Sequence, residues 1–151
     1  MAGIMFFTLL LAGSCGLLHA QTMEYRTITV VESIDPSGLG RSRMISTGET
    51  RNYKEFSSLR SGEEDERNKS DQGEIRVRNF EETKLLTFFN LGGIRFQNIA
   101  ANDALVSSKM NSMSEEGCDL AFVVGGFESS AGEDDNNGIF NTRYIFKRPK
   151  G

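Results

Sequence analysis

Few side chains in this sequence carry reactive chemistry, and each has a simple structural alternative. Cys118 is the only residue of the domain region with intrinsic nucleophilicity. A thiol becomes a nucleophile when a Lys, an Arg or a helix N-terminus stabilises its thiolate. Cys118 follows Gly117, where a helix is expected to end and a strand to begin, so it faces the wrong end of the helix dipole. We read it as a small buried hydrophobe, with pairing between chains as the alternative in an oxidising compartment. The loop Glu133-Asp134-Asp135-Asn136-Asn137-Gly138 invites a calcium reading. In an EF-hand register Glu133, Asp135 and Asn137 take the first, third and fifth positions, with Gly138 sixth. The twelfth is Tyr144, where a bidentate Glu is required, and the residues that follow read as a strand. An acidic hairpin loop is expected, with Glu133, Asp135 and Asn137 kept as weak metal candidates.

Other charged groups reduce to surface roles. Glu63, Glu64, Asp65 and Glu66 sit in a polar run with nothing to preorganise a coordination shell. Arg41 and Arg43 have the chemistry of an anion clamp, but arginines on an edge strand also discourage further strand pairing. Glu81 and Glu82 are adjacent, so on a helix they diverge rather than face each other. Gly92-Gly93 and Gly125-Gly126 lack the spacing of a phosphate loop. No cofactor is expected.

The elements that position these groups begin after an apolar leader. Residues 4–18 hold no charge and are almost wholly apolar, and polar sequence starts at Gln21. A run this short ending in a small residue reads as a secretory signal peptide spanning residues 1–20, cleaved after Ala20. Leu11-Ala12-Gly13-Ser14-Cys15 loosely resembles a lipobox, so a lipoprotein anchored through Cys15 is the alternative. The expected location is the periplasm or outside the cell, with no transmembrane segment in the mature chain.

Removing the leader changes what chemistry is available. His19 is the only histidine and Cys15 one of two cysteines, so residues 21–151 hold no His and one Cys. A Ser-His-Asp triad, a Cys-His dyad and a His-ligated metal site are excluded within one such chain. The formal net charge of −4 belongs to the same residues, since the leader has no Asp, Glu, Lys or Arg. An acidic domain offers no basic footprint for nucleic acid.

Along the chain, residues 23–34 form a β-branched run without Gly or Pro, a strand, and residues 41–47 suit a second strand pairing back on it. Residues 58–73 are polar and charged, read as a mobile insertion in a single domain spanning 21–151. Residues 74–78 alternate like a strand. Residues 79–91 read as a helix capped by Asn79 and ended by Gly92-Gly93, and residues 94–99 as a short strand. A main helix over 102–116 is capped by Asn102 or Asp103 and stopped by Gly117, with Val106, Met110 and Met113 on its apolar stripe. Residues 118–128 are apolar on both faces, as in a central strand, with a bulge or kink at Gly125-Gly126. Residues 139–147 form a last strand with Phe140, Thr142, Tyr144 and Phe146 on one side.

Three stretches resemble a small bacterial family catalogued as domain of unknown function 4177. They are Glu24-Tyr25-Arg26-Thr27 through Val30-Val31-Glu32, then Glu116-Gly117-Cys118-Asp119-Leu120, then Arg143-Tyr144-Ile145-Phe146-Lys147-Arg148-Pro149. Cys118 departs from the Trp usual in that family, and the connection over residues 35–100 is longer. The resemblance implies a fold and no activity.

The expectation is an α+β domain: an antiparallel sheet of three to five strands, one main helix packed on one face, and a second short helix. Function is expected to be that of a non-catalytic binding or interaction module of the cell envelope, monomer or dimer, whose partner the sequence leaves open, with an envelope protein as one candidate. The alternatives are a calcium-stabilised surface protein and an atypical enzyme using carboxylate, Lys or Tyr chemistry.

Overall fold

The computed structural model describes residues 21–35, 41–62, 65–128 and 138–151. The β-branched run becomes β1 (Met23–Ile34), and Arg43–Ser46 forms β2. A single 3-10 turn at Tyr53–Phe56 leads to β3 (Leu59–Arg60) and β4 (Asp65–Glu66), a small hairpin. There follow the one-turn helix α1 (Gln72–Ile75), β5 (Glu81–Lys84), and β6 (Phe89–Asn90) paired with β7 (Gly93–Ile94). The long helix α2 spans Phe96–Glu115, and β8 (Asp119–Glu128) and β9 (Gly138–Pro149) complete the chain.

Five strands make one antiparallel sheet in the order β5-β2-β1-β9-β8, so the expected α+β architecture is what the chain forms. β1 lies at the centre, and it pairs with β9 along its whole length, from Met23↔Pro149 to Ile34↔Gly138. Ile28 and Val30 of β1, Met44 of β2 and Phe146 of β9 are buried with Met113 of α2, so α2 packs on that face. Val106, Met110 and Tyr144 close the cluster. Each such side chain contributes about 1.5–3 kcal/mol through removal from water.

Gly117 ends α2 as expected. Its φ of +77° is left-handed, its N–H donates to the Ser114 carbonyl at 2.9 Å, and the Cys118 N–H donates to the Met113 carbonyl at 3.0 Å. These two bonds make a Schellman motif. They drop Cys118, 3 % exposed, into the core. The thiol is therefore the buried hydrophobe that its position suggests.

Several local expectations are corrected. The second short helix is α1, at Gln72–Ile75, which takes the end of the segment expected to be a mobile insertion and the start of the strand expected over residues 74–78. Residues 79–91, read as a helix, are instead β5, an extended stretch and β6. Their backbone finds better partners outside the segment. β5 pairs with β2, the Leu85 N–H donates to the Ser42 carbonyl, and side chains of α2 satisfy the residues that follow. α2 accordingly starts six residues before Asn102, which caps nothing and sits mid-helix. Of residues 94–99, read as a strand, only Ile94 pairs in one, and the helix begins at Phe96. The bulge in the β8–β9 ladder lies between Leu120 and Phe122, while Gly125 and Gly126 sit in regular register. Finally, β8, read as a central strand, is an edge strand.

Candidate interaction surface

In an antiparallel sheet, residues directly opposite one another share a face. The rows across this sheet follow from its register. Val123 stands beside Tyr144 and Ile28 on the helix side, while Phe122 stands beside Ile145 and Thr27 on the opposite side. The bulge at Ala121 puts Leu120 on the helix side as well, opposite Phe146. α2 packs over β1, β2 and β9, and β8 lies past its reach. Leu120, Val123 and Phe127 are therefore exposed at 43 %, 53 % and 60 %. On the other face Phe122 and Val124 are exposed at 62 % and 54 %.

β8 is thus apolar and exposed on both faces, and among the described residues its only strand neighbour is β9. Among the described residues nothing pairs with its outer backbone edge, whose N–H and C=O groups are a template for another strand. Next to it the Phe127 and Phe140 rings stack at 4.8 Å, and Phe88 tilts against Phe140 at 6.3 Å. This aromatic group extends the patch beyond the rim of α2. Composition makes the residues apolar; only the strand order leaves them uncovered, so the sequence alone places them in a core.

A separate cleft of about 590 Å³ opens between β1, β2, residues 78–81 and the C-terminal half of α2. Its walls bring Arg26, Arg78, Lys109, Glu81 and Glu116 together. These charges are largely matched in pairs. Arg26 donates to Glu116 at 2.7 Å and Lys109 to Glu81 at 2.6 Å. The hydrogen bond from Lys109 holds the Glu81 carboxyl below its usual range, against a smaller opposing effect of burial. Next to the cleft, Arg148 and then Arg26 hold Glu24 below its usual range in the same way. Carboxylates fixed in the ionised form serve charge pairing; a general acid at neutral pH needs the opposite shift. Tyr144 is pushed up by burial, with Asp103 and Glu32 adding to the effect.

The candidates read from the sequence divide as follows. Glu133, Asp135 and Asn137 lie outside the described residues, as do the leader over residues 1–20 and Glu63 and Glu64. Arg43 donates to Glu82 across β2 and β5 at 2.7 Å, which uses it within the sheet, while Arg41 is exposed. Glu81 and Glu82 alternate on β5, so the first meets Lys109 and Ser46 and the second meets Arg43. Among the described residues, no three His, Cys, Asp or Glu side chains converge to hold a metal, and no helix is long and apolar enough to cross a membrane.

Two asparagines have roles that the sequence reading did not assign: Asn98 is not singled out there, and Asn102 is taken as a cap. Asn98 and Asn102 stand four apart on α2 and hold the extended strand-like segment that follows β5. The Asn98 amide donates to the Thr87 carbonyl at 2.7 Å. Asn102, 2 % exposed, both accepts from the Leu86 N–H and donates to the Leu86 carbonyl, each at 2.8 Å. Polar residues at i and i+4 on the buried stripe of a helix are the signal that could have found them.

Compared with known protein families, curated proteins and solved structures, the chain matches none. The surface itself carries the functional argument.

Proposed function

We propose that this protein is an exported, non-catalytic interaction module of the bacterial cell envelope that works through the exposed edge of β8. One observation carries the reading: a ten-residue strand composed like the centre of a sheet stands at its border, exposed on both faces. Natural proteins normally blunt such edges with charge, proline or a covering element. Within Leu120 to Phe127 there is neither charge nor proline. Partners that add a strand to an edge gain backbone hydrogen bonds and side-chain pockets together. The export leader supports placement in the envelope, and the resemblance of the last strand to domain of unknown function 4177 supports the architecture alone.

The test is a photo-reactive phenylalanine analogue placed at Phe122, with a second at the exposed Tyr53 as control, cross-linked in living cells. Adducts at position 122 and none at position 53 are expected. No adduct at position 122 overturns the proposal.

A further inference from the structure

We infer that the occupant of the β8 edge is a second copy of this chain, paired antiparallel about a two-fold axis at Val124. The inference rests on the interaction reading above and names its partner. Three observations converge on self-pairing.

The first is the state of the two glycines. Gly125 and Gly126 lie in regular register with β9, and neither has the positive φ that requires glycine. A Cβ built at Gly125 meets nothing within 4 Å, and one at Gly126 reaches only the Asn141 carbonyl oxygen at 4.0 Å. Among the described residues nothing in the chain's own packing needs glycine there, yet glycine weakens a strand. Strand glycines with no local cause mark the close approach of another group.

The second is register. A two-fold axis normal to the sheet keeps each residue on its own face, so Phe122, Val124 and Gly126 can oppose only one another, and likewise Val123 and Gly125. Centring the axis on Val124 places Phe122 against Gly126 and Val123 against Gly125. Large then meets small at every position flanking the axis, the arrangement that lets facing layers interlock. Aromatic side chains laid over strand glycines stabilise sheets in the same way. No charged residue falls within Phe122 to Gly126. The bulge at Ala121 and the charge of Glu128 bound the ladder.

The third is area. The five exposed apolar residues of β8 present on the order of 500 Å² per copy, taking roughly 150–200 Å² for a large apolar side chain. Edge pairing lays Phe122, Val123 and Val124 against their counterparts in the other copy, and the backbone ladder supplies the rest of the contact. The pairing joins two five-stranded sheets edge to edge and leaves both α2 helices on one face, flanking Leu120, Val123 and Phe127 of both copies.

The experiment is sedimentation velocity on the full chain, processed and purified from a bacterial host, over a concentration series, together with cross-linking through one cysteine introduced in addition to the buried Cys118. A dimer is expected at micromolar concentration. Val124→Cys should form a disulfide-linked dimer under mild oxidation, whereas Phe122→Cys, whose counterpart stands opposite Gly126, should not. Gly126→Val fills the space assigned to the partner's Phe122. It should weaken association by about tenfold or more, as large residues forced together across a packed interface do, while the monomer keeps its circular dichroism spectrum and melting temperature. A monomer at all concentrations overturns self-pairing. If position 122 still cross-links to a different protein in cells, the interaction reading survives that result; if nothing cross-links, both fall. A dimer indifferent to Gly126→Val and not trapped by Val124→Cys overturns the β8 assignment.

Discussion

The Asn102 side chain bonds both polar groups of the Leu86 backbone, accepting from its N–H and donating to its carbonyl, each at 2.8 Å. One amide thus replaces the neighbouring strand that residue 86 lacks. Its Nδ2 also reaches Glu32 on β1 at 3.3 Å, so helix, extended segment and sheet meet at one residue.

Asn102→Ala should therefore destabilise the fold by about 2 kcal/mol, the lower end of roughly 1–3 kcal/mol for each of two backbone groups that lose their partner, because Leu86 is partly open to water. Denaturant titration measures the loss, and faster exchange of the Leu86 amide localises it. Asn102→Asp should not rescue, because a carboxylate can accept from the Leu86 N–H but meets the Leu86 carbonyl and Glu32 with like charge.

Gly117→Ala should cost about 1 kcal/mol through the left-handed backbone alone. The space around that Cβ is open, so no clash adds to it. A thermal melt of the variant checks the value; a change within error would show that the helix end had rearranged.

Acid should weaken the fold through Glu24 and Glu81. Both have folded-state values below the usual 4.5, held there by Arg148 with Arg26 and by Lys109. The stability they contribute is complete above 4.5 and is lost as pH falls through the lower folded values. Denaturation midpoints between pH 3 and pH 7 should decline at the acid end, and Glu24→Gln with Glu81→Gln should flatten that decline.

Cys118 should resist alkylation in the native protein and react on unfolding, because it is 3 % exposed in the core. Cys118→Ser should cost about 1–3 kcal/mol for burying an unpaired hydroxyl. Rapid native labelling would contradict the packing.

Under the export proposal, the intact mass of the protein purified from its own cells should begin at Gln21. A diacylated or triacylated mass beginning at Cys15 would move the interaction to a membrane-anchored form.

The legible parts of the fold were those whose signal is local. The β-branched run of β1, the apolar stripe of Val106, Met110 and Met113, and Gly117 each dictate their own conformation. Residues 79–91 misled because Leu85, Phe88 and Phe89 recur at helical spacing, while the groups that hold them extended, Ser42, Asn98 and Asn102, come from elsewhere in the chain. β8 misled differently. Its residues were read correctly as two-sided apolar, but strand order, which no single stretch encodes, put them at the border. The candidate surface was thus present in the composition and became visible only with the topology.

The pairing of β1 with β9 also governs when folding can occur. The two strands lie more than 100 residues apart in the chain and form the longest ladder of the sheet. Loop closure of that length precedes the contacts that reward it. β1 emerges early in synthesis and waits, without its main partner, until β9 has followed. The central ladder therefore closes only after every other strand of the sheet has been made, so its formation is the late step that locks the sheet together.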